Sequence, residues 1–193
     1  MAAIPELRTA RLLLRGWRED DLEPFATMNA DPEVREHFPG GAMSRAESDA
    51  LVERFVARWR EDGHAPWAVE RLGGGGFLGF IGLATAHFEA HFTPAVEVGW
   101  RLARNAWGHG YATEGGRVSL EWGFVTLDLA EIVSFTTPGN VRSQAVMERL
   151  GMTRDAADDF DHPRIAPGHP LRRHVLYRLP RAGWEAARRA APG

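Results

Sequence analysis

Residues 96–115 read VEVGWRLARNAWGHGYATEG, a strand-like pattern that runs through a glycine loop into a helix start. Over 95–102 the side chains alternate. Val96, Val98, Trp100 and Leu102 share one face and Glu97, Gly99 and Arg101 the other, the two-residue period of a β-strand. A helix is expected over 111–126. Its first turn leaves N–H groups unpaired and carries a partial positive charge. Gly108 and Gly110 lack a Cβ, so the backbone of this loop can approach a phosphate closely. The physical reading is a phosphate or pyrophosphate held by main-chain amides. A plain turn built of glycines is the alternative that the loop alone leaves open. The spacing departs from the dinucleotide fingerprint, which would need a third glycine at 113, where Thr113 stands. NAD and FAD are thereby disfavoured.

Outward from this stretch, the flanking segments punctuate cleanly. Residues 8–17, RTARLLLRGW, predict a strand, and REDDLEPFATMNAD a helix that Asp31–Pro32 breaks. Residues 44–62 predict an amphipathic helix, opened by a Ser44/Glu47 capping box and striped by Leu51, Phe55 and Trp59. Residues 66–71 and 77–84 are strand candidates, joined by a hairpin turn at Gly73 to Gly76. A strand follows those glycines, so they are not read as a phosphate loop. Residues 131–137 predict a strand, 140–150 a helix with Asn140 as N-cap and Gly151 as C-cap, and 172–179 a last strand. The order predicts one domain over 1–181, a mixed sheet with helices on both faces, and a short tail over 182–193.

Composition narrows the chemistry. The 193 residues hold no cysteine and no lysine, and all 23 basic side chains are arginine. Schiff-base lysines, Walker lysines and cysteine nucleophiles are therefore excluded, and ATP is disfavoured. A net charge of −3 gives no support for nucleic-acid binding. No apolar run suggests a membrane span, and MAAIPELRTARLLLRGW has no signal-peptide layout, so a cytoplasmic protein is expected.

VEVGWRLARNAWGHGYATEG resembles the acetyl-CoA-binding motif of the GNAT superfamily of N-acetyltransferases. NVRSQAVMERLGM, residues 140–152, resembles that superfamily's second signature, in the form of the branch that includes ribosomal-protein alanine N-acetyltransferases. The resemblance spans about Leu7 to Leu179. It implies an α/β (mixed α+β) fold around a twisted, mostly antiparallel sheet of about seven strands. Its fourth and fifth strands splay apart to admit acetyl-CoA. On that resemblance, pantetheine lies along Trp100, Arg101 and Leu102. The pyrophosphate lies on the loop from Trp107 through Gly108, His109, Gly110, Tyr111 and Ala112 to Thr113. Asn105 stands where the motif usually has Gln or Arg, which weakens a side-chain contact to phosphate. Arg104 or Arg142 is a further phosphate candidate.

Acetyl transfer needs a deprotonated amine, a donor for the developing oxyanion and a proton for the departing thiolate. Glu97, on the polar side of its strand, is the candidate base, with a structural ion pair as the alternative. Asn140 and Ser143 lie one helical turn apart. The resemblance implies that Asn140 positions cofactor or substrate and that the Ser143 hydroxyl approaches the CoA sulfur; many relatives use a tyrosine there. Without cysteine, direct attack in a ternary complex is favoured over an acyl-enzyme.

Residues 155–174, DAADDFDHPRIAPGHPLRRH, predict a long loop. A rim whose acids attract a cationic amine is preferred to a metal site at Asp161, His162, His169 and His174, a plain solvated loop is an equal alternative to the rim, and no metal is expected. Trp17, His37, Phe38 and Trp67 can also face the acceptor, although aromatic residues of this kind are core more often than not. A protein N-terminus and a small amine both remain open as acceptors, a homodimer is compatible with the sequence, and neither nucleic acid nor membrane is expected as a partner. A non-catalytic acyl-CoA sensor and a transferase of a larger acyl group, such as succinyl, are the alternatives.

Overall fold

The computed structural model describes residues 4–74 and 76–190. The chain runs β1 (Leu7–Arg8), β2 (Leu12–Arg15), α1 (Leu22–Asn29), α2 (Pro32–Arg35), α3 (Arg45–Glu61), β3 (Pro66–Arg71), β4 (Gly76–Thr85) and β5 (Val96–Leu102). It continues through α4 (Tyr111–Val125), β6 (Glu131–Thr136), α5 (Val141–Arg149), β7 (Thr153–Arg154), β8 (Phe160–Asp161), β9 (Arg173–Pro180) and α6 (Arg181–Ala190). The sheet order is β1-β2-β3-β4-β5-β6-β9-β7, with β8 on β9. Every pairing is antiparallel except that of β5 with β6.

This is the expected mixed sheet, with more strands than the seven foreseen. The first apolar run folds into two strands, because Thr9 to Arg11 turn the chain and Leu7 pairs back on Leu14. The two-residue strands β7 and β8 attach to β9 and carry no periodicity to read. Pro32 both ends α1 and starts the short helix α2, with Asp31 capping Glu33 N–H at 2.9 Å. Position 75 of the Gly73–Gly76 turn and the tail beyond 190 lie outside the described residues.

Successive β4 side chains show the layering. Phe80 packs on Phe25 of α1 and Phe55 of α3, at ring separations of 6.2 and 5.2 Å. Its neighbour Ile81 points the other way, onto α4, where a Cβ on Gly115 would lie 2.5 Å from Ile81 Cδ1. Helices thus cover both faces. Trp59, Trp67 and Trp122 meet edge to face and tie α3 and β3 to α4. Helix α5 joins the α4 face through Met147 and Leu150, and α6 stacks Trp184 on Phe124 at 4.9 Å. Under α1, buried Arg15 grips buried Asp21 bidentately at 2.7 and 2.8 Å and reaches Glu70 at 2.9 Å.

Candidate active site

Strands β5 and β6 share a single ladder position, Glu97 with Val133. Just beyond it, Ser134 Oγ donates to the Val98 carbonyl at 2.8 Å. From there the strands separate, and β5 keeps its ladder only to β4 as far as Leu102. Val98 turns its carbonyl toward β6, whereas Ala103 N–H donates to Leu78 of β4 at 2.9 Å. By strand alternation, Trp100 and Leu102 direct their main-chain groups into the gap and Arg101 directs its own to β4. Leu102 O is taken by Trp107 Nε1 at 2.8 Å, which leaves Trp100 as the open main-chain position.

The C-terminal mouth of the gap is flanked by two helix starts. Gly110 caps α4 in the left-handed region, φ 80°, and Gly108 has φ 77°, conformations that favour glycine. No side chain caps α4, and its ladder begins with Glu114 N–H to Gly110 O at 3.0 Å. The N–H groups of Tyr111, Ala112 and Thr113 are therefore unclaimed donors beside a glycine cradle, a fit for pyrophosphate. Across the mouth, Arg142 at the start of α5 lies over the Trp107 ring at 4.8 Å. Arg104 is held by Glu33 at 2.5 Å, away from this role. His109 stacks on Tyr111, and Asn105 is exposed in the turn before Trp107.

Asn140 is the N-cap of α5, as expected. Its Oδ1 accepts from Ser143 N–H at 3.2 Å, and its Nδ2 donates to Thr136 Oγ1 at 2.9 Å. Both side-chain atoms are thus occupied in joining the end of β6 to the start of α5. The half-buried Ser143 hydroxyl makes no hydrogen bond among the described residues.

Glu97 lies at the closed end of the gap and lines a cleft of about 300 Å³ on the α3 face. The walls come from Phe55 on α3, His64 before β3, Phe88 after β4, Phe135 on β6 and His162 on the long loop. Among the described residues the Glu97 carboxylate has no ion-pair or hydrogen-bond partner, so the structural ion pair considered for it is absent. Although partly open to the cleft, it is densely surrounded, and this desolvation pushes its pKa up to about 7. Nearby, His64 Nε2 lies 3.2 Å from Thr85 Oγ1 and its Nδ1 3.0 Å from Asp62 O; burial lowers its pKa.

Two expectations are corrected. Arg101 does not offer its main chain to the gap. Its side chain is buried on the α1 face of the sheet, donating to Asn29 Oδ1 at 2.8 Å and lying over the Phe38 ring at 4.0 Å. Burial pushes its pKa down to about 9. The acids of the long loop do not stand open as a rim for a cationic amine: Asp155 accepts from Ala157 N–H at 2.9 Å and the other three are paired with arginines. Asp158 pairs with Arg178, Asp159 with Arg154, and Asp161 with Arg172 and Arg173. Only His162 and Arg164 of that loop reach the cleft. Trp67 is a core residue and Trp17 is half-buried against the core, their indole N–H groups bonded to the carbonyls of Pro5 and Pro66. His37 remains near the gap, its Nδ1 3.2 Å from Thr137 Oγ1.

The candidate metal residues also have other partners. His162 Nδ1 accepts from Arg164 N–H at 3.3 Å and His169 Nδ1 from Leu171 N–H at 3.1 Å.

Sequence reasoning missed Arg11, which pairs with Glu114 at 2.6 Å and lies over Tyr111 at 4.8 Å, beside the glycine cradle. It also missed Arg54 and Arg58 in the cleft. Their signal was available: Leu51, Arg54, Phe55 and Arg58 follow the i, i+3, i+4, i+7 spacing of one helix face.

The splayed parallel pair, the glycine-capped helix and the carboxylate at the closed end define a GNAT-type acyltransferase fold. Residues 11–153 match the acetyltransferase (GNAT) domain, and the chain belongs to that family. It is 31% identical over 157 residues to FsC-acetyl coenzyme A-N(2)-transacetylase of Aspergillus fumigatus, covering 78% of this chain and 66% of that one. It is 28% identical to the N-acetyltransferase YnaD of Bacillus subtilis, covering 77% and 83% of the two chains. A crystal structure of an acetyltransferase from Agrobacterium tumefaciens superposes with a TM-score of 0.73 at 30% identity, covering 93% and 96%. The protein is an acetyl-CoA-dependent N-acetyltransferase.

Proposed function

We propose that the amine enters the cleft on the α3 face and meets the thioester of acetyl-CoA in the gap between β5 and β6. The observation that carries this reading is Glu97, an unpartnered carboxylate with a pKa of about 7, at the floor of the cleft beside that gap. Its ionised form accepts a proton from the ammonium, directly or through one water, and frees the nitrogen lone pair. The neutral nitrogen attacks the thioester carbonyl. The Trp100 N–H faces the oxygen that gains charge. As the C–S bond breaks, the nitrogen gives up its second proton and the sulfur gains one: the Ser143 hydroxyl donates to the departing sulfur and is reprotonated from the nitrogen through water. Asn140 sets the start of α5 and so positions Ser143. The amides of Tyr111, Ala112 and Thr113 hold the pyrophosphate, with Arg142 and Arg11 supplying positive charge nearby. No group in the cleft need form an acyl-enzyme.

The cleft's size favours a small amine over a folded protein's N-terminus. Action in the cytoplasm belongs to the same proposal. Thiol release from acetyl-CoA tests it without background, because the chain has no cysteine of its own. We expect release that depends on an added amine. Tight acetyl-CoA binding with no release from any amine would favour a sensor.

A further inference from the structure

The acceptor cleft carries more positive charge than an amine-binding site needs. Arg54 is exposed on α3, lines the cleft, and makes no hydrogen bond or ion pair among the described residues. The Arg164 side chain also lines it and donates only to the His87 carbonyl. Arg58 is shared between Glu61 at 2.9 Å and Asp62 at 3.9 Å, and Asp62 is also bound by His87 at 3.0 Å. Burial, with His174 and Arg164 nearby, pushes the His162 pKa down to about 4, so that ring is neutral in ordinary buffers. Asp62 and Glu97 are the carboxylates that line the cleft. The first is engaged and the second is the proposed base. Two guanidinium groups therefore face the cleft without a carboxylate to balance them, and Phe55, Phe88 and Phe135 line it with them.

We propose that the acceptor is a small amine carrying an anionic group, carboxylate or phosphate, at the end away from its nitrogen. The nitrogen meets Glu97, the carbon frame lies against the three phenylalanines, and the anion is gripped by Arg54 and Arg164. The planar guanidinium fork matches both oxyanions in two-point geometry. A polyamine would instead set a second ammonium among the arginines, where like charges repel. This inference rests on the reading of the cleft as the acceptor site.

The test uses thiol release with four acceptors of equal chain length: an ω-amino carboxylate, its carboxamide, the aminoalkyl phosphate and the diamine. We expect kcat/KM for the better anionic acceptor to exceed that of the carboxamide by about tenfold or more, the worth of a charge-assisted hydrogen bond, with the diamine lowest. The order of carboxylate and phosphate names the natural anion. In Arg54→Gln and in Arg164→Gln, each on an exposed side chain, the anion-to-amide ratio should collapse toward one, mainly through KM. A diamine as good as either anion, or a ratio unchanged in both variants, would overturn the anionic acceptor while leaving amine acetylation standing. No release from any of the four would overturn the acceptor reading of the cleft itself.

Discussion

In the proposed mechanism Glu97 and Ser143 divide the proton traffic between them. Glu97→Gln keeps the shape of the cleft floor and removes the base, so kcat should fall by about 100-fold or more. Ser143 has an unengaged hydroxyl at the mouth where the sulfur departs. Ser143→Ala should lower kcat by about tenfold or more while the KM for acetyl-CoA changes little, because the pyrophosphate is held elsewhere. Steady-state kinetics with acetyl-CoA varied at saturating amine read both kcat and that KM for each variant. Asn140 differs in kind. Both of its side-chain atoms are bonded within the protein, so its replacement should disturb the α5 start before it disturbs chemistry.

At the scale of elements, the start of α4 is the most demanding piece of backbone in the site. Gly110→Ala places a Cβ residue at φ 80°, a strain of about 1–2 kcal/mol, and the space around it does not forbid the side chain. Acetyl-CoA affinity should therefore drop about tenfold with a modest loss of thermal stability, a combination that calorimetric titration and melting can read together. A second element is held by charge. Asp21→Ala leaves Arg15 buried with only Glu70 to answer it, and should cost about 3 kcal/mol in denaturant unfolding.

Much of this architecture was legible in the sequence. Alternation placed β5 and Glu97, glycine spacing placed the α4 start, and Asn140 announced its own cap. The rest depends on contacts distant along the chain. Arg101 reads as a polar-face residue, yet α1, α2 and the Phe38 loop bury it. The acids of the long loop read as a rim, yet arginines up to 20 residues away claim them. Strands of two residues have no period to detect.

For the whole molecule, the same burial that tunes Glu97 weighs against the fold. Below its ordinary pKa of 4.5 the carboxyl is neutral in folded and unfolded chains alike. As pH rises, the unfolded chain ionises first and the folded one only near 7, so stability is lost across that window. The penalty above it is at most about 3 kcal/mol. Glu97→Gln should therefore melt several degrees above the parent protein at pH 8, with the difference shrinking toward pH 4.5, although it is the less active enzyme.

The pH dependence of kcat/KM for the amine in the thiol-release assay tests the role of Glu97 most directly. With acetyl-CoA saturating and the amine below its KM, we expect kcat/KM to rise through a pKa of about 7 and that limb to vanish in Glu97→Gln. The same limb in both proteins would mean that another group, or the amine itself, sets the protonation, and Glu97 would not be the base.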